Sequence, residues 1–332
     1  MKPIRRILFA VKEPGARSQP GLDKAITLAR RLGATLELFH ALSTPVFLEI
    51  QPFTGAALAD AKRETRALSQ RRLEQLAARA RKQDVTASCT VEWDYPPHEA
   101  IARRALHSGA DLIIAACHKG HRTAPWLIHL TDWELVRTST VPVLLIRNTR
   151  AWRERPIILA AVDPSHARAK PARLDSQIAT EAERFADDLS GRLHLMHANY
   201  PAMFGITPMD PVADGAIRAA TIDQAKAQRQ RAFEKFAKGY WIPRKRRHLV
   251  DDDPVHAIPA VAQKLGADLV VMGAVARSGL KRVFIGNTAE RVLGALPCDV
   301  LVIRPLRFRK RIAAAARGIR VIAPPPFVPL AA

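Results

Sequence analysis

Cysteine is scarce in this 332-residue chain: Cys89, Cys117 and Cys298 are the only three. An odd number, each in or beside an apolar run, provides no disulfide framework and fits a reducing cytoplasm. Long apolar runs are lacking too, which excludes a membrane-spanning helix. Met1-Lys2-Pro3-Ile4-Arg5-Arg6 leads directly into the strand-like ILFAV, leaving no room for a signal-peptide core. Acidic residues are under-represented: 31 Asp and Glu face 52 Lys and Arg, a net charge of +21. No Gly-Lys-Ser/Thr closes any glycine-bearing loop, so a P-loop nucleotidase is excluded. No Ser/His/Asp or Cys/His set falls on adjacent strand tips either, so no catalytic residue is assigned.

What remains is a soluble globular composition, 48% hydrophobic and 25% charged, with length enough for two domains. The positive excess is spread thinly except at the end, where residues 304–332 hold seven basic and no acidic residues. There IAAAA is flanked by arginines, and APPPF blocks a regular helix. A weakly ordered tail over 306–332 is expected, with nonspecific attraction to nucleic acid or an anionic membrane.

The chain repeats itself. Shifted by 157 positions, LELFHA (Leu36–Ala41) falls on LHLMHA (Leu193–Ala198), and GADLIIAAC (Gly109–Cys117) on GADLVVMGA (Gly266–Ala274). At the same offset, TDWELVRTSTVPVLLIR (Thr131–Arg147) falls on TAERVLGALPCDVLVIR (Thr288–Arg304). Domains over 1–150 and 151–305 follow. In the second, strands are expected at 157–162, 193–197, 247–250, 268–273 and 300–303. Helices are expected at 177–189, 217–238, 257–264 and 288–296. Short strands, apolar on consecutive residues and alternating with helices, predict doubly wound parallel α/β sheets. The short link from Asn148 to Arg155 favours a packed pseudo-dimer, with the terminal strands 143–146 and 300–303 paired or covered. Further homo-oligomerisation stays open.

Ligands of such sheets bind beyond the carboxyl ends of the strands, where strand order reverses. The tips to inspect are Asp163, Ala198 and Gly273 in the second copy, and Lys12, Ala41 and Ala116 in the first. The stretch after Gly273 carries Gly279 and Gly286, and Asn287-Thr288 opens a helix whose free N–H groups suit phosphate. Asn287 with Glu290 equally makes a capping box, and Asp163-Pro164-Ser165 equally a turn.

The repeated LxxxHA strand ends, the GADLVVMG strand and SGLKRVFIGNTAERVL resemble the universal stress protein family, and within it the tandem two-domain members of type E. The resemblance covers about residues 4–305 and implies Rossmann-like domains of the HUP type. Nucleotide-binding members carry a glycine, two residues, a glycine, nine residues, then a glycine and a small polar residue. Gly273, Ala276, Gly286 and Asn287 occupy those positions, with alanine departing from the pattern. The resemblance implies ATP, with its base near Asp163, Ala198 and Met272. Ribose and phosphates would lie against Gly273, Ala276, Gly279, Gly286, Asn287 and Thr288, and Arg277, Lys281 or Arg282 would reach phosphate oxygens. Any hydrolysis would be slow. The first copy, with Lys12, Ala116, Lys119 and His129-Leu130 at the matching positions, reads as a structural half. A structural or adaptor stress protein that binds no nucleotide and associates with anionic partners such as nucleic acid is the alternative.

The remaining motifs are weaker. His118-Lys119-Gly120-His121 is similar to the HxGH signature of nucleotidyl-transferring relatives, but follows the fourth strand where theirs follows the first. Cys117, His118 and His121 would need His129 to complete a zinc site, so no metal is assigned. His194 and His197, three apart on a strand, point to opposite faces, and His40 and His197 end apolar strands as packed core residues.

Overall fold

The computed structural model describes residues 3–43, 46–47, 55–117, 130–165, 173–198, 215–274, 287–305, 312–318 and 321–322. The chain divides into two compact units, Lys2–Val141 with Arg309–Ala332, and Pro142–Phe308.

The first unit holds β1 (Arg6–Ala10), α1 (Pro20–Leu32), β2 (Thr35–Leu42), β3 (Val46–Phe47), α2 (Gly55–Arg81), β4 (Ala87–Trp93), α3 (Pro97–Ser108), β5 (Leu112–Ala116) and α4 (Leu130–Thr138). Its strands run parallel in the order β4-β2-β1-β5. The second holds β6 (Val143–Ile146), β7 (Ile157–Ala161), α5 (Leu174–Asp188), β8 (Arg192–Ala198), α6 (Gly215–Gly239), β9 (Arg247–Val250), α7 (Pro254–Leu265), β10 (Leu269–Gly273), α8 (Asn287–Ala295) and β11 (Asp299–Ile303). The order there is β6-β11-β10-β7-β8-β9, parallel except for β6. Both are doubly wound, Rossmann-like sheets, and the expected strands are met to within two residues. The terminal strands pair as anticipated: β6 runs antiparallel to β11, with Leu144 opposite Leu301.

The repeated Gly-Ala-Asp has a physical cause in each unit. Gly109 and Gly266 end α3 and α7 in the left-handed conformation (φ 64° and 59°), where glycine escapes the Cβ clash. Two residues later, Asp111 Oδ2 accepts from the Arg5 and Arg6 N–H groups at 2.8 and 3.0 Å. Asp268 Oδ2 likewise accepts from Ile157 N–H at 2.9 Å. Each aspartate thus caps the start of the neighbouring central strand. Asp299, fully buried, does similar work for the link: it accepts from Arg147 N–H at 2.8 Å and from the Trp152 indole at 2.7 Å.

The expected helices are all present, with α5 and α7 each opening three residues earlier than expected and α6 two. Asp253 caps α7, its Oδ1 accepting from Val255 N–H at 2.7 Å with Pro254 next. That places part of Asp251-Asp252-Asp253 in helix capping.

The tail departs from expectation. Residues 312–318 lie on the first unit rather than extending from the repeat. Arg103, buried, donates through Nε to Ala313 O at 2.7 Å and pairs with buried Asp94 through Nη1. Arg317 N–H donates to Asp94 Oδ1 at 2.9 Å, and its guanidinium pairs with Glu99 at 2.7 Å. Beyond them β12 (Val321–Ile322) pairs in parallel with β3. The tail's backbone supplies an acceptor to Arg103 and a donor to Asp94. Charge counting along the chain does not show this, because the acceptor lies in distant sequence.

Candidate functional site

The second unit's strand order reverses between β7 and β10. From β7 the chain proceeds outward to β8 and β9, then crosses to β10 and β11 on the other side. Asp163 stands just beyond β7, Ala198 ends β8, and Met272 and Gly273 end β10, so the topology brings these four to one edge. Asn287 and Thr288 open α8. Ala276, Arg277, Gly279, Lys281, Arg282 and Gly286 lie outside the described residues.

Asp163 is held by its neighbours. Its N–H donates to Asp175 Oδ1, in the first turn of α5, at 2.9 Å. Its Oδ1 accepts from the Ser165 hydroxyl at 3.0 Å. His197 Nδ1 lies 3.7 Å from the same oxygen. The carboxylate is therefore held in one orientation, and it retains 26% exposure at this edge of the sheet.

His197 and His40 occupy equivalent places. Nδ1 of each meets a carbonyl at the end of the central strand, Val162 O at 3.1 Å and Val11 O at 2.8 Å. A carbonyl only accepts, so each ring carries a proton on Nδ1. His197 is buried and stacks on Phe233, and burial lowers the His40 pKa. Both are packed histidines that fix the strand tips.

Gly273 has a packing role that the sequence does not reveal. A Cβ there would lie 2.9 Å from both Ile178 Cδ1 and Leu174 Cδ2 of α5. In the first repeat the sizes are exchanged: Ala116 ends the strand, and Gly21 of α1, at the offset of Ile178, makes the room. A Cβ on Gly21 would meet Ala116 Cβ at 3.0 Å. Alanine at 116 thus reflects a reciprocal fit of helix against strand.

His194, on the opposite face from His197, pairs across strands with His248: Nδ1 to Nε2 is 2.9 Å and the rings are nearly parallel. Burial, then the charges of His248, Arg246 and Arg192, bring the His194 pKa down to about 4, and burial and Lys264 lower His248. An imidazole whose folded pKa is depressed lets the unfolded chain take up protons first. Stability from this pair is complete above about 6.5 and falls as pH drops toward about 4. Urea unfolding across that window should show a smaller acid loss in His194→Gln than in the parent. Equal losses would contradict it.

Among the described residues no group of three or more His, Cys, Asp and Glu is placed to hold a metal, and no helix is long and apolar enough to cross a membrane. His118, His121 and His129 lie outside them. None of the three cysteines is in a disulfide, and burial first raises the Cys89 thiol to about 11 and the Cys298 thiol to about 12.

The comparisons agree with this architecture. The model of the universal stress protein family matches residues 3–147 and again 155–304. Universal stress protein E of Escherichia coli K12 is 28% identical over 317 residues, covering 91% of this chain and 95% of its own. A functionally unknown protein from Pseudomonas aeruginosa PAO1 superposes with a TM-score of 0.68 at 26% identity, covering 91% of this chain and 93% of its own. A universal stress protein from Archaeoglobus fulgidus, solved in complex with dAMP, spans 44% of this chain and 100% of its own at 18% identity and a TM-score of 0.29. Two matches of one family model, laid over two doubly wound sheets, lead to one conclusion: the chain belongs to the universal stress protein family, in its tandem two-repeat form.

Proposed function

We propose that the chain is a cytoplasmic stress-response module whose second repeat binds one adenine nucleotide, ATP, while the first repeat serves as a structural half. The observation that carries this reading is Asp163, pre-oriented and partly exposed beyond β7 at the sheet's switch point. There it would accept from the adenine amine or a ribose hydroxyl. Asn287 and Thr288 open α8 beyond the neighbouring strand, where free N–H groups and the helix dipole favour phosphate. Gly286, Gly279 and Arg277 would complete the cradle. Three cysteines outside any disulfide accord with a reducing compartment. A rival reading, an adaptor without nucleotide, draws on Gly273, whose lack of a side chain is already accounted for by Leu174 and Ile178.

Calorimetric titration of ATP into nucleotide-stripped protein separates the two. One site per chain is expected. Gly286→Val should weaken binding by roughly 2 kcal/mol through a blocked phosphate approach and a strained backbone. Asp163→Ala should cost about 1–2 kcal/mol. Ala276→Gly should tighten binding if the alanine crowds the phosphates. No binding even after Ala276→Gly would leave the adaptor reading. Gly273 is a poor target, since any side chain there also disturbs α5.

A further inference from the structure

The two repeats close their long helices with the same turn but use different residues in it. In the first, Asp84 N–H donates to Arg81 O and Val85 N–H to Ala80 O, with Asp84 left-handed at φ 59°. In the second, Trp241 N–H donates to Lys238 O and Ile242 N–H to Ala237 O, with Trp241 left-handed at φ 54°. Val85 and Ile242 are the buried anchors of the two turns. Aspartate is among the residues that tolerate this backbone, whereas a bulky side chain there is an outlier. Trp241 accepts that strain with no burial in return: it is 91% exposed.

Its surroundings are changed in the same direction. Strand register sets Cys89 opposite Leu38 and Arg247 opposite Leu195. By that register Thr86-Ala87-Ser88 of the first repeat correspond to Arg244-Lys245-Arg246 of the second, a single 3-10 turn after Pro243. Arg247 is neutralised by Glu234 at 2.5 Å, but no ion pair is recorded for Arg244, Lys245 or Arg246 among the described residues. Glu37, bonded to Thr90 and Arg104 in the first repeat, is replaced at the repeat offset by His194, paired with His248. Tyr240 ties the turn down by donating to Ser176 O at 3.1 Å. An acidic side chain is thus lost at two positions, three cations are gained, and an indole is presented at high exposure.

We propose that Trp241 with Arg244, Lys245 and Arg246 forms a binding surface for single-stranded nucleic acid, distinct from the nucleotide crevice. The indole face stacks on an unpaired base, and the three cations contact successive phosphates. A membrane surface fits less well. Trp241 is the only large hydrophobic residue of the second unit that is exposed among the described residues, and one side chain offers little apolar area to insert. A duplex fits less well too, because its bases are already stacked.

The test uses the full chain and a labelled oligothymidylate or oligouridylate, followed by fluorescence anisotropy at several salt concentrations. Trp241→Asp installs what the first repeat carries, so the fold should be kept or strengthened, which urea unfolding checks; Trp241→Asn provides a second version. Either should weaken single-strand binding about tenfold, as loss of one stacked base implies. Trp241→Asn, which adds no charge beside the three cations, should leave affinity for a duplex unchanged. Replacing Arg244, Lys245 and Arg246 by alanine should flatten the salt dependence by about two to three phosphate contacts. Absence of oligonucleotide binding by the parent, or undiminished binding in both Trp241 variants, would overturn the proposal. So would Trp241-dependent binding to phosphatidylserine vesicles with oligonucleotide binding unaffected.

Discussion

Asp94→Ala is expected to destabilise the first unit by about 3–5 kcal/mol, the range for stripping one partner from a buried ion pair. Asp94 and Arg103 are 1% and 4% exposed at their side chains. Once the carboxylate is gone, the guanidinium keeps only Ala313 O at 2.7 Å and Glu99 at 3.7 Å, too little to offset its desolvation. The same change deletes the acceptor for Arg317 N–H and for Tyr95 N–H. Two readouts should therefore move together. The urea midpoint should fall, and proteolysis within 312–318 should accelerate under native conditions. Asp94→Ala combined with Arg103→Met should recover much of the loss, because no unpaired charge is then buried. A midpoint unaffected by Asp94→Ala would show that the pair carries no such weight.

Asp299→Ala should cost about 3 kcal/mol or more, since it orphans three donors in a buried place. Arg147 N–H and Asn148 N–H share Oδ1 at 2.8 and 3.3 Å, and the Trp152 indole N–H reaches Oδ2 at 2.7 Å. With the carboxylate removed, the link between β6 and β7 loses these three anchors and keeps the side-chain bonds of Arg147 to Gly294 O at 3.2 Å and of Asn148 to Pro297 O at 3.5 Å. Trp152 should report this directly by a red-shifted emission in the still folded variant. Asp299→Asn, which keeps one acceptor oxygen, should lose less. Equal stability of parent and alanine variant in urea would refute the role.

The sheets were legible because their cause is local. Leu112-Ile113-Ile114 and Leu269-Val270-Val271 are apolar on consecutive residues and lie buried on both faces. The packed state of His40 and His197 also followed from position at the end of an apolar strand. Effects that depend on two distant residues were not legible. Gly273 reads as a ligand glycine until Leu174 and Ile178 are set beside it, and Gly21 shows no meaning until Ala116 faces it. The tail reads as solvated because its partners Asp94, Glu99 and Arg103 lie in another part of the chain. For the crevice, the sequence named the tips that the topology brings together. The contribution of Ala276, Arg277, Gly279 and Gly286 still rests on the motif.

The return of the tail has a consequence for how the protein is made. Ala313 and Arg317 meet Arg103 and Asp94 across 210 and 223 residues of chain. On the ribosome, the β4–α3 corner emerges long before its last cover is synthesised, and the whole second repeat is translated in between. The buried ion pair must wait with part of its hydrogen bonding supplied by water. Completion of the first unit is thus coupled to arrival of residues 313–317, and a message truncated after the second repeat would yield a protein whose defect lies in the half translated first.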